Sequence, residues 1–168
     1  MNIYGQCREI YRQAFDDGDN EFQNDLFDLC YKYCHYNCVD GKAVSMFFSM
    51  PCITVIENVK HESFYIFAAA TEAANRSKGY MGSLLNDFIK KYDESFIFLK
   101  PATDNLFDYY AKFGFNHFSS SADKNCYSYP TGGFKKLADK YGGTEKQYDG
   151  MYRFNKKIKM MNFPFIME

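Results

Sequence analysis

Between Phe64 and Met81 the chain runs Phe64-Tyr65-Ile66-Phe67-Ala68-Ala69-Ala70-Thr71 and, past a short polar elbow, Arg76-Ser77-Lys78-Gly79-Tyr80-Met81. The first run reads as an apolar strand, and the second as a basic glycine turn that opens a helix at Gly82. A strand feeding such a turn leaves backbone N–H groups free at a helix N-terminus, which carries roughly half a positive charge. Arg76 and Lys78 add full positive charges at the same spot. The chemistry that suits this arrangement is the capture of a phosphate or pyrophosphate, and so of a phosphate-bearing cofactor.

The turn contains neither G-x-G-x-x-G nor G-x-x-x-x-G-K-S/T, so a dinucleotide fold and a P-loop are both set aside. It reads Arg76-x-x-Gly79-x-Met81-Gly82, which resembles the acetyl-CoA signature R/Q-x-x-G-x-G/A of the GNAT N-acetyltransferase superfamily. Met81 departs from the small residue expected at the last position, while the adjacent Gly82 keeps close approach open. Further along, Phe96-Ile97-Phe98-Leu99-Lys100-Pro101 reads as a buried strand closed by proline. It is followed by Asn105-Leu106-Phe107-Asp108-Tyr109-Tyr110-Ala111-Lys112-Phe113-Gly114-Phe115, which is similar to the family segment N-x(4)-L/F-Y-x-x-x-G-F, with Tyr109 in the slot before the tyrosine. Gly114 suits a C′ position after that helix, and Thr103 or Asp104 its N-cap. Order, spacing and element type agree from Phe64 to Phe115. The resemblance implies an α/β (α+β) fold: a mixed, mostly antiparallel central sheet flanked by helices and splayed at an acetyl-CoA site.

It also implies a chemistry. Acetyl transfer from a thioester to an amine needs an anchored pyrophosphate, a polarised carbonyl, a neutral amine and a proton for the leaving thiolate. By resemblance, the turn Arg76, Ser77, Lys78, Gly79, Tyr80, Met81, Gly82 with Ser83 holds the pyrophosphate. Ala69, Ala70 and Thr71 offer backbone N–H groups to the pantetheine arm and the carbonyl oxygen, and Asn105 contacts the same arm. The small side chains at 68–70 suit a backbone that a ligand approaches closely, and equally suit tight sheet packing. Tyr110 is the expected general acid, since a phenol with pKa about 10 is protonated at neutral pH; a core tyrosine is the plainer alternative. Many family members carry a glutamate on the central strand, but here that strand offers Ile66, Phe67 and alanines. Glu72, Glu57, His61 and Glu62 read as solvated turn residues, and no base is assigned.

Composition narrows the partners. In 168 residues, Lys+Arg 20 against Asp+Glu 21 gives a net charge of −1, which favours neither nucleic acid nor an anionic membrane. The length fits a single domain, 1–168, with a motif-bearing core at about 40–118 and a less legible stretch at 119–168. With Tyr 15, Phe 18 and no Trp, the core is expected to be filled by phenyl and phenol rings. The longest apolar stretch, 43–56, is interrupted by Ser45, Ser49 and Pro51, so no membrane span is expected. Residues 1–12 lack a signal-peptide layout, which leads to a cytoplasmic protein with six reduced cysteines. Cys30, Cys34 and Cys38 would share one face if a helix ran through them, but three in-line positions cannot converge on one ion, and no metal is expected.

The elements that must position these residues follow from periodicity. Residues 9–15 read as a helix with Ile10, Tyr11 and Ala14 inward, 16–20 as a turn, and a second helix starts near Glu21, capped by Asp19 or Asn20. Phe22, Leu26, Leu29, Cys30 and Tyr33 form its apolar stripe. Asp40-Gly41 signals a hairpin, followed by a strand over 43–55 in which Pro51 marks an end or a bulge. Residues 57–63 read as a polar turn before the central strand 64–71. Leu84, Leu85, Phe88, Ile89 and Tyr92 share one face of the helix after the glycine turn. Strands are expected at 115–118, 126–129 and 148–154, with a helix over 134–141 between Thr131-Gly132-Gly133 and Gly142-Gly143-Thr144. Two helices, rather than the family's usual strand, precede the hairpin.

The end of the chain places Lys156, Lys157 and Lys159 before Met160-Met161-Asn162-Phe163-Pro164-Phe165-Ile166-Met167. The expected role is docking on its own domain or on a second subunit of a homodimer, ahead of a membrane-surface or partner-binding tail. The functional expectation is an acetyl-CoA-dependent N-acetyltransferase acting on a primary amine of a small molecule or peptide. The alternatives are an acyl-CoA-binding sensor or interaction module without turnover, and an interaction protein that uses the tail.

Overall fold

A computed structural model describes residues 1–15, 18–121, 125–142 and 147–163. In chain order the elements are α1 Ile3–Ala14, α2 Asn20–Cys30, β1 Cys34–Val39, β2 Lys42–Ile56, β3 Val59–Thr71, α3 Tyr80–Lys91, β4 Phe96–Leu99, α4 Asn105–Ala111, β5 Asn116–Ser120, β6 Cys126–Pro130, α5 Gly132–Tyr141, β7 Asp149–Arg153 and β8 Met160–Met161. The strands join in the order β1-β2-β3-β4-β7-β5-β8, with β6 also on β2. β3/β4 and β5/β8 are parallel, and β1/β2, β2/β6, β4/β7 and β5/β7 are antiparallel, so this is a mixed, mostly antiparallel sheet. The chain divides into two compact units, Met1–Ser49 with Phe67–Tyr92, and Met50–Ile66 with Asp93–Glu168.

The first unit is built on two capped helices and a hairpin. Asn2 accepts from the Gly5 N–H at 2.8 Å and starts α1 well before the Glu9 that the sequence predicts. Cys7, Ile10 and Tyr11 form its buried face, while Ala14 is exposed. Asp19 caps α2 through the Phe22 N–H at 2.9 Å, as its sequence suggests. Asp16 and Asp17 of the expected turn lie outside the described residues. α2 stops at Cys30, tightens through a 3₁₀ turn over Tyr31–Tyr33 and becomes extended at Cys34. Cys30, Cys34 and Cys38 therefore lie on a helix end and along a strand, with Cys38 exposed. Phe27 gathers the helices, its ring centroid 5.6 Å from Tyr4, 5.9 Å from Tyr11 and 5.4 Å from Phe48. Asp40 (φ 51) and Gly41 (φ 75) supply the two left-handed residues of a tight hairpin.

β2 pairs with β1 over 42–48 and with β6 over 52–56, and Pro51 falls in the gap where no ladder N–H is needed. The strand runs through Pro51 rather than ending there.

The second unit begins with another left-handed pair, Glu57 (φ 50) and Asn58 (φ 67), which joins β2 to β3. The turn is thus two residues long, not the 57–63 expected from polarity. Lys60 and Glu62 are exposed positions of a strand that already started at Val59. β4 is buried at all four residues and lies between β3 and β7, which is why it reads as an unbroken apolar run. The described end of the chain docks on this same unit. β8 runs parallel to β5, the Asn162 N–H donates to the Cys126 carbonyl at 2.9 Å, and the Phe163 ring centroid lies 5.3 Å from Tyr65 and 4.9 Å from Phe98. Pro164–Met167, like Gly143 and Thr144, lie outside the described residues.

Phe163 is 2% exposed. Phe163→Ala is therefore expected to cost about 3–5 kcal/mol, read as a lowered urea midpoint at unchanged slope. A cost below about 1 kcal/mol would show that the chain end is only loosely held.

Candidate functional site

Within the first unit, β3 leads through an elbow into α3. The parallel ladder of β3 with β4 ends at the pair Ile66↔Leu99, and β3 continues to Thr71. Ala68 stands in that continuation at φ 57, a conformation that costs a non-glycine residue roughly 1–2 kcal/mol. No glycine marks the position, so the sequence gives no sign of it. Ala68 and Ala70 are buried and Ala69 and Thr71 half-buried.

The elbow is tied down residue by residue. The Glu72 N–H donates to the Val44 carbonyl at 2.8 Å, and its carboxylate receives the Lys42 ammonium at 3.1 Å and the Asn75 amide at 2.6 Å. Lys42, and then Asn75, hold the Glu72 carboxyl below the usual carboxylate range. These partners keep the carboxylate ionised and tie it to the elbow. The Arg76 Nε reaches back to the Thr71 carbonyl at 3.3 Å, and the Lys78 Nζ to the Asn75 Oδ1 at 3.4 Å. Both cations therefore flank the turn, and both are exposed.

Ser77 (φ 62) and Gly79 (φ 83) reverse the chain into α3, which starts at Tyr80, two residues ahead of the expected Gly82. The first intrahelical bond runs from the Ser83 N–H to the Gly79 carbonyl at 3.0 Å. The N–H groups of Tyr80, Met81 and Gly82 thus precede the ladder, and no side chain caps the helix. A Cβ at Gly79 would have open space around it. The start of α3 thus combines backbone donors with no partner among the described residues, a glycine at the cap position and two cations at the rim, an arrangement that suits an anion.

Two residues outside both sequence motifs seat this helix. The Asn37 Nδ2 donates to the Tyr80 carbonyl at 2.9 Å. The His35 ring centroid lies 5.0 Å from Phe88 of α3 and 5.0 Å from Phe47, with its Nε2 2.7 Å from the Ser49 Oγ. Burial, and then the Lys91 charge, lower the His35 imidazole to about 4, so it is neutral near pH 7. Single Asn and His residues on a short strand carry no pattern that would have singled them out.

Within the second unit, α4 carries Asn105 at its start and Tyr110 near its end. Neither expected cap acts as one: Asp104 occupies the N-cap position without a side-chain bond, and the Thr103 hydroxyl bonds the Asn105 Oδ1 instead. Gly114 takes φ 86 just past the helix, where a Cβ would press on the Arg153 Nε at 3.1 Å. Tyr110 is 8% exposed, its ring against Tyr109 and Phe115. Burial, and then Tyr109, push its phenol up to about 12. Its hydroxyl makes no hydrogen bond among the described residues. The Tyr110 phenol thus keeps its proton at neutral pH. Of the other candidate bases, Glu62 accepts from the Ser95 Oγ at 2.9 Å and His61 packs on Phe154.

A family profile described as acetyltransferase (GNAT) domain matches residues 3–118. Among curated protein sequences none matches the chain. Solved structures share its fold. A probable N-acyltransferase from Enterococcus faecalis V583 aligns with TM-score 0.59 at 14% identity over 71% of this chain, which spans 33% of that longer one. A GNAT family acetyltransferase from Brucella melitensis, solved in complex with acetyl-CoA, gives TM-score 0.51 at 13% identity over 67% and 76% of the two chains. A structure from Corynebacterium glutamicum described as histone acetyltransferase HPA2 and related acetyltransferase gives TM-score 0.58 at 12% identity over 92% of both chains.

The buried, neutral His35 makes stability depend on pH. Its folded-state pKa lies below the ordinary value of 6.5, so the unfolded chain binds the extra proton first. Its contribution is complete above pH 6.5 and is lost as pH falls toward 4. The slope is at most ~1.4 kcal/mol per pH unit. Urea unfolding across this range should show that slope, and His35→Gln should flatten it; an identical slope in the variant would remove His35 from the account.

Proposed function

Because the chain belongs to the GNAT acetyltransferase family, we propose that it transfers an acetyl group from acetyl-CoA to a primary amine of a small molecule or peptide. The observation that carries this reading is the uncapped start of α3, reached through the left-handed residues Ser77 and Gly79 straight after β3. The Brucella melitensis structure of the same fold is solved with acetyl-CoA, which supports the choice of anion.

In this reading the N–H groups of Tyr80, Met81 and Gly82 bind the pyrophosphate oxygens, Arg76 and Lys78 neutralise their charge, and the Ser77 and Ser83 hydroxyls add donors. The backbone of Ala69, Ala70 and Thr71 binds the pantetheine arm and polarises the thioester carbonyl, and the Asn105 amide holds the arm. Acetyl-CoA supplies an activated acyl carbon: the amine nitrogen bonds to it, the C–S bond breaks, and the nitrogen gives up a proton to water. Tyr110 donates its phenolic proton to the departing sulfur and recovers one from solvent. Its raised pKa keeps that proton in place at neutral pH. No side chain is assigned as the base; a water chain, or direct binding of the already neutral amine, serves in its place. The six free cysteines fit the reducing cytoplasm, and residues 1–168 act as one acetyltransferase domain. The commitment of Glu72 to Lys42 and Asn75 favours one second reading, an acyl-CoA-binding module without turnover.

Acetyl-CoA at a hundredfold excess over its Kd should add about 2.7 kcal/mol of stability, a rise in Tm of roughly 5–10 °C. Gly79→Asp, which sets a carboxylate in the Arg76–Gly82 turn, should abolish the rise. No rise with folded wild-type protein would contradict the cofactor assignment.

Tyr110→Phe should keep the acetyl-CoA shift and lower kcat at least ~10²-fold, measured as thiol release with an amine acceptor. Unchanged kcat would return Tyr110 to the role of a core residue. Binding without thiol release across a broad amine panel would favour the non-catalytic reading.

A further inference from the structure

We propose that Asn37 is a positioning residue for the cofactor turn, fixing the first turn of α3 through the Tyr80 carbonyl and so setting the affinity for coenzyme A. The inference rests on the acetyl-CoA reading above and extends it to a residue outside both sequence motifs.

Asn37 of β1 stands opposite Ser45 of β2, at the point where the ladder shifts register between Asn37 and Cys38. Its amide joins two elements. The Nδ2 donates to the Tyr80 carbonyl at 2.9 Å, and the Oδ1 accepts from the Ser45 hydroxyl. Ser45 is fully buried, so its hydroxyl requires an acceptor. That requirement turns the Oδ1 toward the strand and the Nδ2 toward the helix. Ser45 therefore sets the orientation of the amide, and the amide sets the helix.

Tyr80 is the first residue of α3. Its carbonyl and the Met81 N–H belong to one planar trans peptide, in which C=O and N–H point in opposite directions. Holding the Tyr80 oxygen on the β1 side aims the Met81 N–H away from it, outward from the helix start. A donor on the carbonyl also polarises the peptide and strengthens that N–H as a donor. The turn needs this support, because it enters through left-handed Ser77 and Gly79, contains Gly82 and has no side-chain cap. Without an outside contact such a first turn frays.

The test is isothermal titration of coenzyme A into the full chain and its Asn37→Ala, Ser45→Ala and Val39→Ala variants. Val39 lies on the same strand and serves as the control for plain destabilisation. Asn37→Ala should raise the Kd about tenfold and Ser45→Ala about threefold, while Val39→Ala lowers Tm and leaves the Kd alone. Pantetheine, which lacks the pyrophosphate, should bind the wild type and Asn37→Ala equally when read by ligand NMR. A Kd for folded Asn37→Ala within about twofold of wild type, or an equal loss in Val39→Ala, overturns the proposal. Should Asn37→Ala fail to fold, Ser45→Ala decides by the same comparison. A wild-type chain that does not bind coenzyme A overturns the acetyl-CoA reading and this inference with it, whereas tight wild-type binding with unchanged variants overturns this inference alone.

Discussion

Helix α3 begins with donors that no side chain among the described residues caps, and the first unit is arranged to hold that beginning still. A helix start with glycine at the cap forgoes roughly a few tenths of a kcal/mol relative to one with a good side-chain N-cap, a cost the same chain avoids at α1 and α2, where Asn2 and Asp19 serve. At α3 the cap position is a glycine, the preceding turn is left-handed at two residues, and the strand before it carries a left-handed alanine. Local strain of this kind persists when its surroundings over-determine it. Here they do: Lys42 and Asn75 fasten Glu72, Val44 holds the Glu72 N–H, and Asn37 holds Tyr80. Each of these contacts except Asn75 comes from the β1–β2 hairpin. The tight Asp40-Gly41 turn, far from the Arg76–Gly82 turn in sequence, is thus part of what shapes it.

The acid–base side is spare. Burial keeps the Tyr110 proton in place, and Glu72, the acidic residue nearest the motif in sequence, is spent on structure. The proposed transfer asks little more of the protein than orientation and a proton source when the amine arrives neutral. Family membership and the turn geometry support binding more directly than turnover, and for that reason binding is the measurement with the most leverage.

What the sequence made legible were features in which one residue type answers one local demand. Gly79 and Gly114 sit at left-handed positions, Asp40-Gly41 makes its hairpin, Asp19 caps its helix, and Phe96–Leu99 is the strand buried on both sides. Those demands are met within a few residues, so periodicity and turn chemistry reveal them. The early start of β3 escaped because Lys60 and Glu62 are polar on an exposed face, and polarity read as a turn. The start of α1 escaped because one asparagine, Asn2, sets it. Ala68 escaped because its left-handed backbone is imposed from outside on a residue that does not prefer it. Asn37 and His35 act across elements, on partners that only the fold brings to them. The end of the chain was ambiguous in sequence for the same reason, since the rings that receive Phe163 come from three separate elements.

The most direct test of the central claim is to follow backbone amide resonances while coenzyme A is added to the ¹⁵N-labelled chain. The largest proton shifts are expected at Tyr80, Met81 and Gly82, moving downfield as each N–H exchanges water for a charged oxygen. Saturable binding of coenzyme A that leaves those three amides unmoved would place the pyrophosphate elsewhere and contradict the account.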